Sequence, residues 1–417
     1  MFLDLYHYLK NKEKYILSCL FLVTIFLRIP GLILYGDTKL DHEWEILVNN
    51  LILHGKLVYQ TFDGFLLPNL WMPPLYPYYI YFFTFFYLSD QNLVSLILSS
   101  QILMASISVI LFYKINKIFF SEKISFYGSI LFSIFPLHIY ANIQIASISL
   151  QMFLTMLFLY FFFQIVKKQN LSSIIIFAFV SGLLILLRAE FRIILLLSLL
   201  YLFIFFKVPI KKLLLIFLIS LLTISPYLIR NFLIFEKITI IETSGYNLWK
   251  GNHPIAMKQS IVEGLDFSKD RDLELKKKID KIPIDKFYRI NWNKTFFDDA
   301  IENIISEPIG YLIFYFKKIV SFLFININPH DPRYWNPFHY IPVLLIGFTS
   351  LIGLFLSGKK SSQFNYLIFL FFLNVLIFSS VSILPRYKLV IFPLQIIFTN
   401  VLLERINNKF FYQKEKS

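Results

Sequence analysis

Cysteine is almost absent from this 417-residue chain, and its single cysteine, Cys19, lies inside the first hydrophobic run. One cysteine excludes an intrachain disulfide and a metal site built from several thiolates. Charged residues are also scarce, at 16% of the chain, whereas 57% of the residues are hydrophobic and 19% are aromatic. Soluble globular domains do not have this composition. The sequence therefore predicts an all-α, polytopic membrane protein.

Acidic residues are few relative to basic ones, with 26 Asp and Glu against 40 Lys and Arg, which gives a formal net charge of +14. In a soluble chain this imbalance would indicate a nucleic-acid partner. Here the lysines stand in short clusters between apolar runs, as the positive-inside rule predicts for cytoplasmic loops. We therefore expect membrane lipids around the chain and no nucleic-acid partner.

The first hydrophobic run, residues 15–35, follows three lysines and superficially resembles a signal peptide. It is too long for one and no small-residue cleavage site follows, so we interpret it as a retained transmembrane helix with a cytoplasmic N-terminus. Nine further runs of about 17–22 residues complete a predicted helical bundle of about ten transmembrane helices. These runs are 92–113, 124–143, 146–166, 172–188, 191–207, 212–229, 339–357, 365–384 and 388–404.

Two further apolar segments, 74–89 and 309–326, are predicted to lie in the interface instead of crossing. The first is short, and the second would bury Lys317 and Lys318 in the bilayer at considerable cost. With both segments interfacial, the lysine clusters and the C-terminal tail are cytoplasmic, as the positive-inside rule requires. The predicted organisation is an N-terminal transmembrane module (1–229) with a first outer loop (36–91), a small outer-face cap with an interfacial helix (230–338), and C-terminal transmembrane helices with a cytoplasmic tail (339–417).

Four carboxylates, Asp37, Asp41, Glu43 and Glu45, follow the first hydrophobic run directly. The last three open an apolar-periodic stretch that Gly55 ends, which predicts a short amphipathic helix on the membrane surface. Acids just outside a membrane indicate a site. Acids also favour the first turn of a helix for electrostatic reasons alone, so an acidic N-cap without chemistry is the alternative.

Landmarks in a characteristic order give the chain a family resemblance. They are Asp41-x-x-x-Glu45-x-x-x-Asn49-Asn50-Leu51, Met72-Pro73-Pro74-Leu75-Tyr76-Pro77, Ser133-Ile-Phe-Pro136-Leu137-His138, Ser225-Pro226-Tyr227-Leu-Ile-Arg230-Asn231, Gly245-Tyr-Asn247-Leu248-Trp249-Lys-Gly251-Asn252, and Pro385-Arg386-Tyr387 with Pro393. Together they resemble the polytopic glycosyltransferases of the GT-C class, within it the protein O-mannosyltransferase and aminoarabinose transferase branch. Trp71 and Met72 depart from that branch, whose residues before the Pro-Pro pair are charged, and leave the donor identity open.

The resemblance implies an inverting transferase that moves a sugar from a polyprenyl-phosphate carrier to a lipid, polysaccharide or protein acceptor. Its active site would lie on the outer face of a plasma (inner) membrane. Asp41 stands where the family's general base is expected, and Asp41-His42-Glu43 matches the Asp-x-Glu form of the mannosyltransferases, which makes Glu43 a candidate partner. On a helix, residues two apart point to different faces, so these two acids are not expected to act as one pair. Asp37 is a reserve candidate.

Arginines at the predicted outer face are candidates for binding the lipid phosphate, because its leaving charge needs fixed cations. Arg386, beside Tyr387, is the first choice, and Arg188, Arg192 and Arg230 are further ones. Ordinary snorkelling to the headgroup layer is the alternative for each.

Two cap residues, Trp249 and Asn252, are candidates for contacting sugar or acceptor, with a membrane-interface anchor as the alternative for Trp249. His138 and His42 could relay protons or bind a metal, although a lone histidine is more often structural. No cofactor is certain and no spacing is diagnostic of a metal site; a divalent cation beside Asp41 and Glu43 stays open.

The competing hypothesis is a polytopic transporter or lipid flippase without transferase activity. Secondary transporters tend to have internal pseudo-repeats and charged residues near mid-membrane. In this chain the charges cluster at the predicted outer boundary and the two halves do not resemble each other, so transport is the weaker hypothesis. A catalytically inactive scaffold of the same fold is the third.

Overall fold

The structure, a computed structural model, describes residues 13–414 except 63, 87–88, 327–328, 330–334 and 359–360; the side chains of His42 and of residues 410–414 are not described. These residues form eighteen α-helices and one two-stranded sheet. In chain order the helices are α1 (Glu13–Tyr35), α2 (His42–His54), α3 (Leu75–Thr84), α4 (Asp90–Asn116), α5 (Glu122–Ile134), α6 (Pro136–Asn142), α7 (Ile148–Lys168), α8 (Leu171–Leu187), α9 (Phe191–Phe206), α10 (Ile210–Phe235), α11 (Ser244–Gly251), α12 (Pro254–Gln259), α13 (Leu273–Ile279), α14 (Tyr288–Ser306), α15 (Pro308–Leu323), α16 (Pro337–Phe355), α17 (Ser362–Ser379) and α18 (Phe392–Lys414), with a 3-10 helix at Pro385–Val390 before α18.

The predicted all-α membrane fold is confirmed, and each of the ten predicted spans coincides with a helix or a broken helix. Within the described ranges, six helices are long and apolar enough to cross a membrane, and a seventh span results if α5 and α6, bent by 56°, count as one. The six are α1, α4, α7, α10, α16 and α17. The predicted number of about ten is therefore larger than the length criterion supports. Helices α8 and α9 have 17 and 16 residues, at or below the lower limit of about 17 for a crossing.

Small residues bring the long helices together. A Cβ at Gly182 of α8 would overlap the side chain of Thr223 in α10, and one at Gly353 of α16 would overlap the carbonyl oxygen of Phe398 in α18. Helix association within a membrane relies on close packing and not on the hydrophobic effect, so such close approaches stabilise it. These glycines fix how near the two helix pairs can approach.

A buried polar network crosses the break between α5 and α6. Arg28 of α1 is fully buried, and its guanidinium donates to the carbonyl oxygens of Thr24 and Ser133 (2.9 and 3.3 Å) and to Oδ1 of Asn142 (2.7 Å), with a further contact to Nδ1 of His138 (3.1 Å). Helix α5 ends there because Pro136 has no N–H to continue it. The network satisfies carbonyl oxygens that the break leaves open, so the bent helix needs no water inside the bundle.

The first outer loop contains the predicted helix and an unpredicted hairpin. Helix α2 covers the acidic stretch and ends before Gly55, whose φ of +62° favours a residue without a Cβ. Strands β1 (Val58–Phe62) and β2 (Phe65–Pro68) then pair antiparallel. Helix α3 follows with ten residues, a length of about 15 Å, which is half of the hydrocarbon core. It cannot cross a membrane alone, as the interfacial interpretation of this segment requires.

Helices α11–α14 form a cap with a hydrophobic cluster of its own. The cluster is built from Trp249, Leu275, Ile279, Trp292, Phe296 and Ala300, and Trp71 of the first outer loop packs against it. The cap is fixed to the transmembrane region through α15. There Lys318 is fully buried and donates to the carbonyl oxygen of Gly251 (3.2 Å) and to Oδ1 of Asn252 (2.9 Å). The first outer loop and the cap therefore share one interface.

Candidate active site

Asp41 stands directly before α2, and its carbonyl oxygen accepts the N–H of Glu45 (3.5 Å). The carboxylate pairs with Nζ of Lys39 at 3.2 Å and remains 43% exposed. The helix dipole favours a negative charge at this end. Asp41 therefore combines the N-cap position of α2 with a carboxylate that solvent can reach.

Asp37, the reserve candidate, is engaged with the backbone. Its Oδ2 accepts the N–H of Ile145 at 2.6 Å, and its own N–H donates to the carbonyl oxygen of Ile143 at 3.2 Å. Both bonds hold the turn between α6 and α7 to the end of α1. Asp37 thus positions the 143–147 turn beside the first outer loop.

Glu43 faces the hairpin. Its half-buried carboxylate makes no hydrogen bond or ion pair with the residues that the structure describes. Burial, followed by the charge of Glu43, raises the pKa of the Tyr59 hydroxyl, which Arg289 opposes. Glu43 and Arg289 therefore both lie near enough to Tyr59 to act on its hydroxyl. That Asp41 and Glu43 do not act as one pair stays a prediction from their spacing.

Two of the predicted phosphate-binding arginines line one cleft. Arg188, at the end of α8, and Arg386, in the 3-10 helix, share it with Gln151, Thr155 and Tyr387. Arg188 is oriented by Oε1 of Gln151 at 2.9 Å. Arg386 is exposed and makes no hydrogen bond or ion pair within the described ranges. The cleft therefore brings together two cations, one held by Gln151 and one without a polar partner among the described residues, and cations of this kind bind phosphate.

The same cleft is tied to the 143–147 turn, because Arg188 also lies 3.5 Å from Oγ of Ser147. Asp37 holds Ile143 and Ile145 of this turn. One short backbone segment therefore connects the arginine cleft with the acidic end of the first outer loop.

Arg230 does not join this cleft. Its guanidinium donates to the carbonyl oxygens of Asn69 (3.1 Å) and Leu57 (3.4 Å) and to Oδ1 of Asn231 (2.6 Å). These partners lie on both sides of the hairpin in sequence, so Arg230 fixes the hairpin onto α10. Arg192, at the start of α9, is exposed.

Trp249 and Asn252, the predicted sugar contacts, are occupied inside the cap. Trp249 is 2% exposed, and its Nε1 donates to Oδ2 of Asp299 at 3.0 Å. Asn252 donates to the carbonyl oxygens of Leu248 and Ser380 at 2.8 and 2.9 Å. His138 is fully buried beside Arg28, which is the structural alternative given above, and the side chain of His42 lies outside the described residues.

Sequence reasoning missed one cation, Arg289 of α14. Its guanidinium lies over the rings of Trp71 (4.6 Å) and Trp292 (5.0 Å), and the side chain is 4% exposed. The unusual Trp71 before the Pro-Pro pair was the available signal. Trp71 is more than 200 positions away from Arg289, so spacing could not reveal that contact.

A divalent metal beside Asp41 and Glu43 was left open by the sequence. Over the described ranges, no group of three or more His, Cys, Asp or Glu side chains could hold a metal ion. The donor set at the start of α2 does not fit a metal site of that kind, and no step below is assigned to a metal.

Comparison with known proteins agrees with this architecture. The family model for dolichyl-phosphate-mannose-protein mannosyltransferase matches residues 72–229, which include Arg188 but neither Asp41 nor Arg386. No curated protein sequence matches the chain significantly.

Solved structures with a similar fold include the oligosaccharyltransferase of Archaeoglobus fulgidus. Its apo form has a TM-score of 0.59 at 12% identity, covering 99% of this chain and 52% of that one. The form tethered to an acceptor peptide with the NVT sequon has the same TM-score at 13% identity, covering 99% and 51%. ArnT from Cupriavidus metallidurans bound to undecaprenyl phosphate is more distant, with a TM-score of 0.40 at 13% identity and coverage of 95% and 78%.

The chain thus spans about half the length of the archaeal enzyme it matches, and at this identity the likeness concerns the fold. The predicted resemblance to polytopic glycosyltransferases of the GT-C class is confirmed by the family model and this shared fold. The multi-pass membrane architecture agrees with both.

Proposed function

We propose that the chain is a membrane glycosyltransferase that takes a sugar from a polyprenyl-phosphate donor and places it on an acceptor hydroxyl. The observation that carries the proposal is the 143–147 turn, which is bonded on one side to Asp37, four residues before Asp41, and on the other to Arg188 of a cleft with two arginines. The family-model match and the shared fold support the same class. The reaction would occur on the outer face of a plasma (inner) membrane with both termini cytoplasmic.

The chemistry assigned to these residues balances as a single displacement. Asp41 removes the proton of the acceptor hydroxyl, and the oxygen attacks the anomeric carbon opposite the phosphate. The bond between that carbon and the phosphate oxygen breaks, and the phosphate leaves with the electron pair. Arg188 and Arg386 stabilise the negative charge that grows on it. Attack from the opposite side inverts the anomeric centre.

Asp41 is assigned as the base in preference to Glu43 and Asp37 because of their surroundings. Asp41 is 43% exposed, beside Lys39 at the helix start. Asp37 is committed to the N–H of Ile145. Glu43 is half-buried and acts on the hydroxyl of Tyr59, which suits contact with the acceptor better than proton removal.

The test is transfer of radiolabelled sugar from a panel of polyprenyl-phosphate sugars in membranes that carry wild type or a variant at matched expression. Asp41→Asn is expected to lower the rate by about 100-fold or more, the usual contribution of a general base. Glu45→Gln, an exposed acid on the same helix, is the matched control and should keep activity. Activity retained by Asp41→Asn and lost in Glu43→Gln would move the base to Glu43.

The acceptor panel needs a lipid, a polysaccharide and a protein, because the residues around Asp41 do not choose among them. The archaeal enzyme with a similar fold was captured with an acceptor peptide, which gives the protein acceptor a place in the panel. Absence of transfer by wild type with every donor and acceptor would contradict the proposal and favour a transporter or flippase.

A further inference from the structure

Arg289 lies in a cage of aromatic rings between the cap and the first outer loop. Trp71 and Trp292 are 5.3 Å apart between ring centroids, Tyr246 is 5.2 and 5.0 Å from them, and Tyr59 stacks on Trp71 at 6.2 Å. The first two rings contact the guanidinium directly. Trp71 and Tyr59 come from the first outer loop, whereas the other residues come from the cap. The cage therefore exists only when the two are docked.

The positive charge in this cage has no anionic partner in the structure. Arg289 is 4% exposed, yet its guanidinium makes no hydrogen bond or ion pair with described residues. Asp266, which accepts the hydroxyl of Tyr246 at 2.8 Å, is paired with Lys250. Cation–π contacts offset part of the desolvation of such a charge but satisfy none of its five N–H donors.

The positive charge of Arg289 persists at neutral pH, and its guanidinium is not fully closed off. Burial lowers the pKa of Arg289 only to about 10, so the group stays protonated. Although the side chain is 4% exposed, its guanidinium nitrogens keep a small accessible surface, through which an anion can reach the N–H donors. A buried, unpaired arginine with accessible donors is built to receive an anion.

The cage is connected to the region of Asp41 through Tyr59. Tyr59 stacks on Trp71 of the cage, Glu43 of α2 and Arg289 of α14 both act on its hydroxyl, and Asp41 is two residues before Glu43. The arginine cleft is elsewhere, between α7, α8 and the 3-10 helix. The cage therefore adjoins the acidic start of α2 and not the arginine cleft, which suits an acceptor better than the donor phosphate.

We propose that Arg289, with the rings of Trp71 and Trp292, forms an acceptor subsite for a sugar that carries an anionic group, either a carboxylate or a phosphate ester. The indole rings hold the guanidinium in place, and the guanidinium binds the anion of the sugar with charge-assisted hydrogen bonds. The acceptor role of this subsite rests on the proposed transferase function; the binding chemistry does not.

Binding can be measured without any donor on the detergent-purified full chain. The probes are methyl glucuronide, glucose 6-phosphate and neutral methyl glucoside, followed by ligand-observed NMR and by tryptophan fluorescence. The wild type is expected to bind one of the anionic probes at least about tenfold more tightly than the neutral one, which is the gain from a charge-assisted bidentate contact. The tighter anionic probe identifies the source of the charge.

Two variants separate the subsite from general effects of charge. Arg289→Gln should lose the preference for the anionic probe, whereas Lys294→Gln, which removes an exposed cation from the same helix, should keep it. Equal binding of neutral and anionic probes by the wild type would overturn the proposal even if Arg289→Gln failed to fold. The proposal would also be overturned if a folded Arg289→Gln variant still bound the anionic probe more tightly than the neutral one.

The outcome is independent of the transferase test. If the chain binds the anionic probe through Arg289 but transfers no sugar, the subsite is supported and the proposed function is contradicted. If the chain is an active transferase without charge preference, the function is supported and the subsite is contradicted. In an active enzyme, Arg289→Gln should raise KM for the anionic acceptor about tenfold and leave KM for the donor unchanged.

Discussion

Arg188 and Arg386 are the two residues whose roles can be tested against each other. Arg188 is held by Gln151, and Arg386 makes no hydrogen bond or ion pair with the residues that the structure describes. We expect each single change, Arg188→Gln or Arg386→Gln, to raise KM for the polyprenyl-phosphate donor by about 10- to 100-fold, since each removes a charge-assisted bond to phosphate. If both arginines hold the same phosphate, the double variant should lose less than the product of the single effects. Donor titrations at saturating acceptor measure this.

Arg192→Gln is the matched control for that experiment. Arg192 is an exposed arginine near the same helix ends, so it carries a similar charge without lining the cleft. A similar rise of the donor KM in Arg192→Gln would mean that surface charge attracts the donor and that the cleft is not the phosphate site.

Single residues show how much of the candidate site can be predicted from the sequence. Asp41 and Arg386 are predicted from family landmarks and Arg188 from its place at the predicted outer face, and the structure puts each near a helix end. Trp249 was predicted to contact sugar, but a tryptophan in a short amphipathic helix has the same pattern whether it faces a ligand or a core. Arg289 was missed because its contact with Trp71 joins residues far apart in sequence. No local sequence pattern indicates that an arginine is buried without an anionic partner.

At the scale of elements, Lys317 and Lys318 of α15 are adjacent lysines with opposite surroundings. Lys318 is fully buried and donates to carbonyl oxygens of the cap and of residue 380, whereas Lys317 is exposed and reaches Oγ of Ser260 at 2.8 Å. We expect Lys318→Met to destabilise the chain by about 1–3 kcal/mol, because buried acceptors lose their donor. Lys317→Met should change stability by no more than about 0.5 kcal/mol. Thermal melting in detergent at fixed pH compares the two.

The comparison of these neighbours also tests the docking of the cap. At Gly251 a Cβ would overlap the backbone of Val381 and Ser382, so the cap and the loop before the 3-10 helix meet without a gap. If Lys318→Met melted like Lys317→Met, the buried ammonium would not be what holds them. The sequence predicts that two lysines in this segment prevent a full crossing. It does not predict that one of them is buried against the cap and the other exposed.

The break between α5 and α6 shows the limit of periodicity within an element. A continuous run at 124–143 predicts one span, and the structure bends by 56° at Phe135–Pro136. Proline signals a break, but a bilayer tolerates one only where the freed carbonyl oxygens find partners. Arg28, in another helix and more than 100 residues away, supplies them. Hydropathy cannot detect this pairing, nor can it detect the hairpin, which is too short for a clear two-residue period.

For the whole molecule, the order of crossings makes a prediction about labelling. In a Cys19→Ser background, single cysteines are introduced by Ile118→Cys, Asn170→Cys and Lys258→Cys, all at exposed positions. A membrane-impermeant maleimide added to intact cells should label position 258 in the cap. Positions 118 and 170 should react only after permeabilisation, because the positive-inside rule assigns the adjoining lysine clusters to the cytoplasm.

The three positions together distinguish the arrangements that the helix lengths allow. Between 118 and 170 stand the bent pair α5–α6 and the long helix α7, so the two positions share a side only if the bent pair crosses the membrane as one span. Labelling of 118 and 170 from opposite sides would make that pair re-entrant and, with α8 crossing, would leave Arg188 on the face opposite to Asp41. An active site that contains both Asp41 and Arg188 requires the bent pair to cross, and the labelling pattern therefore tests the proposed active site as well as the topology.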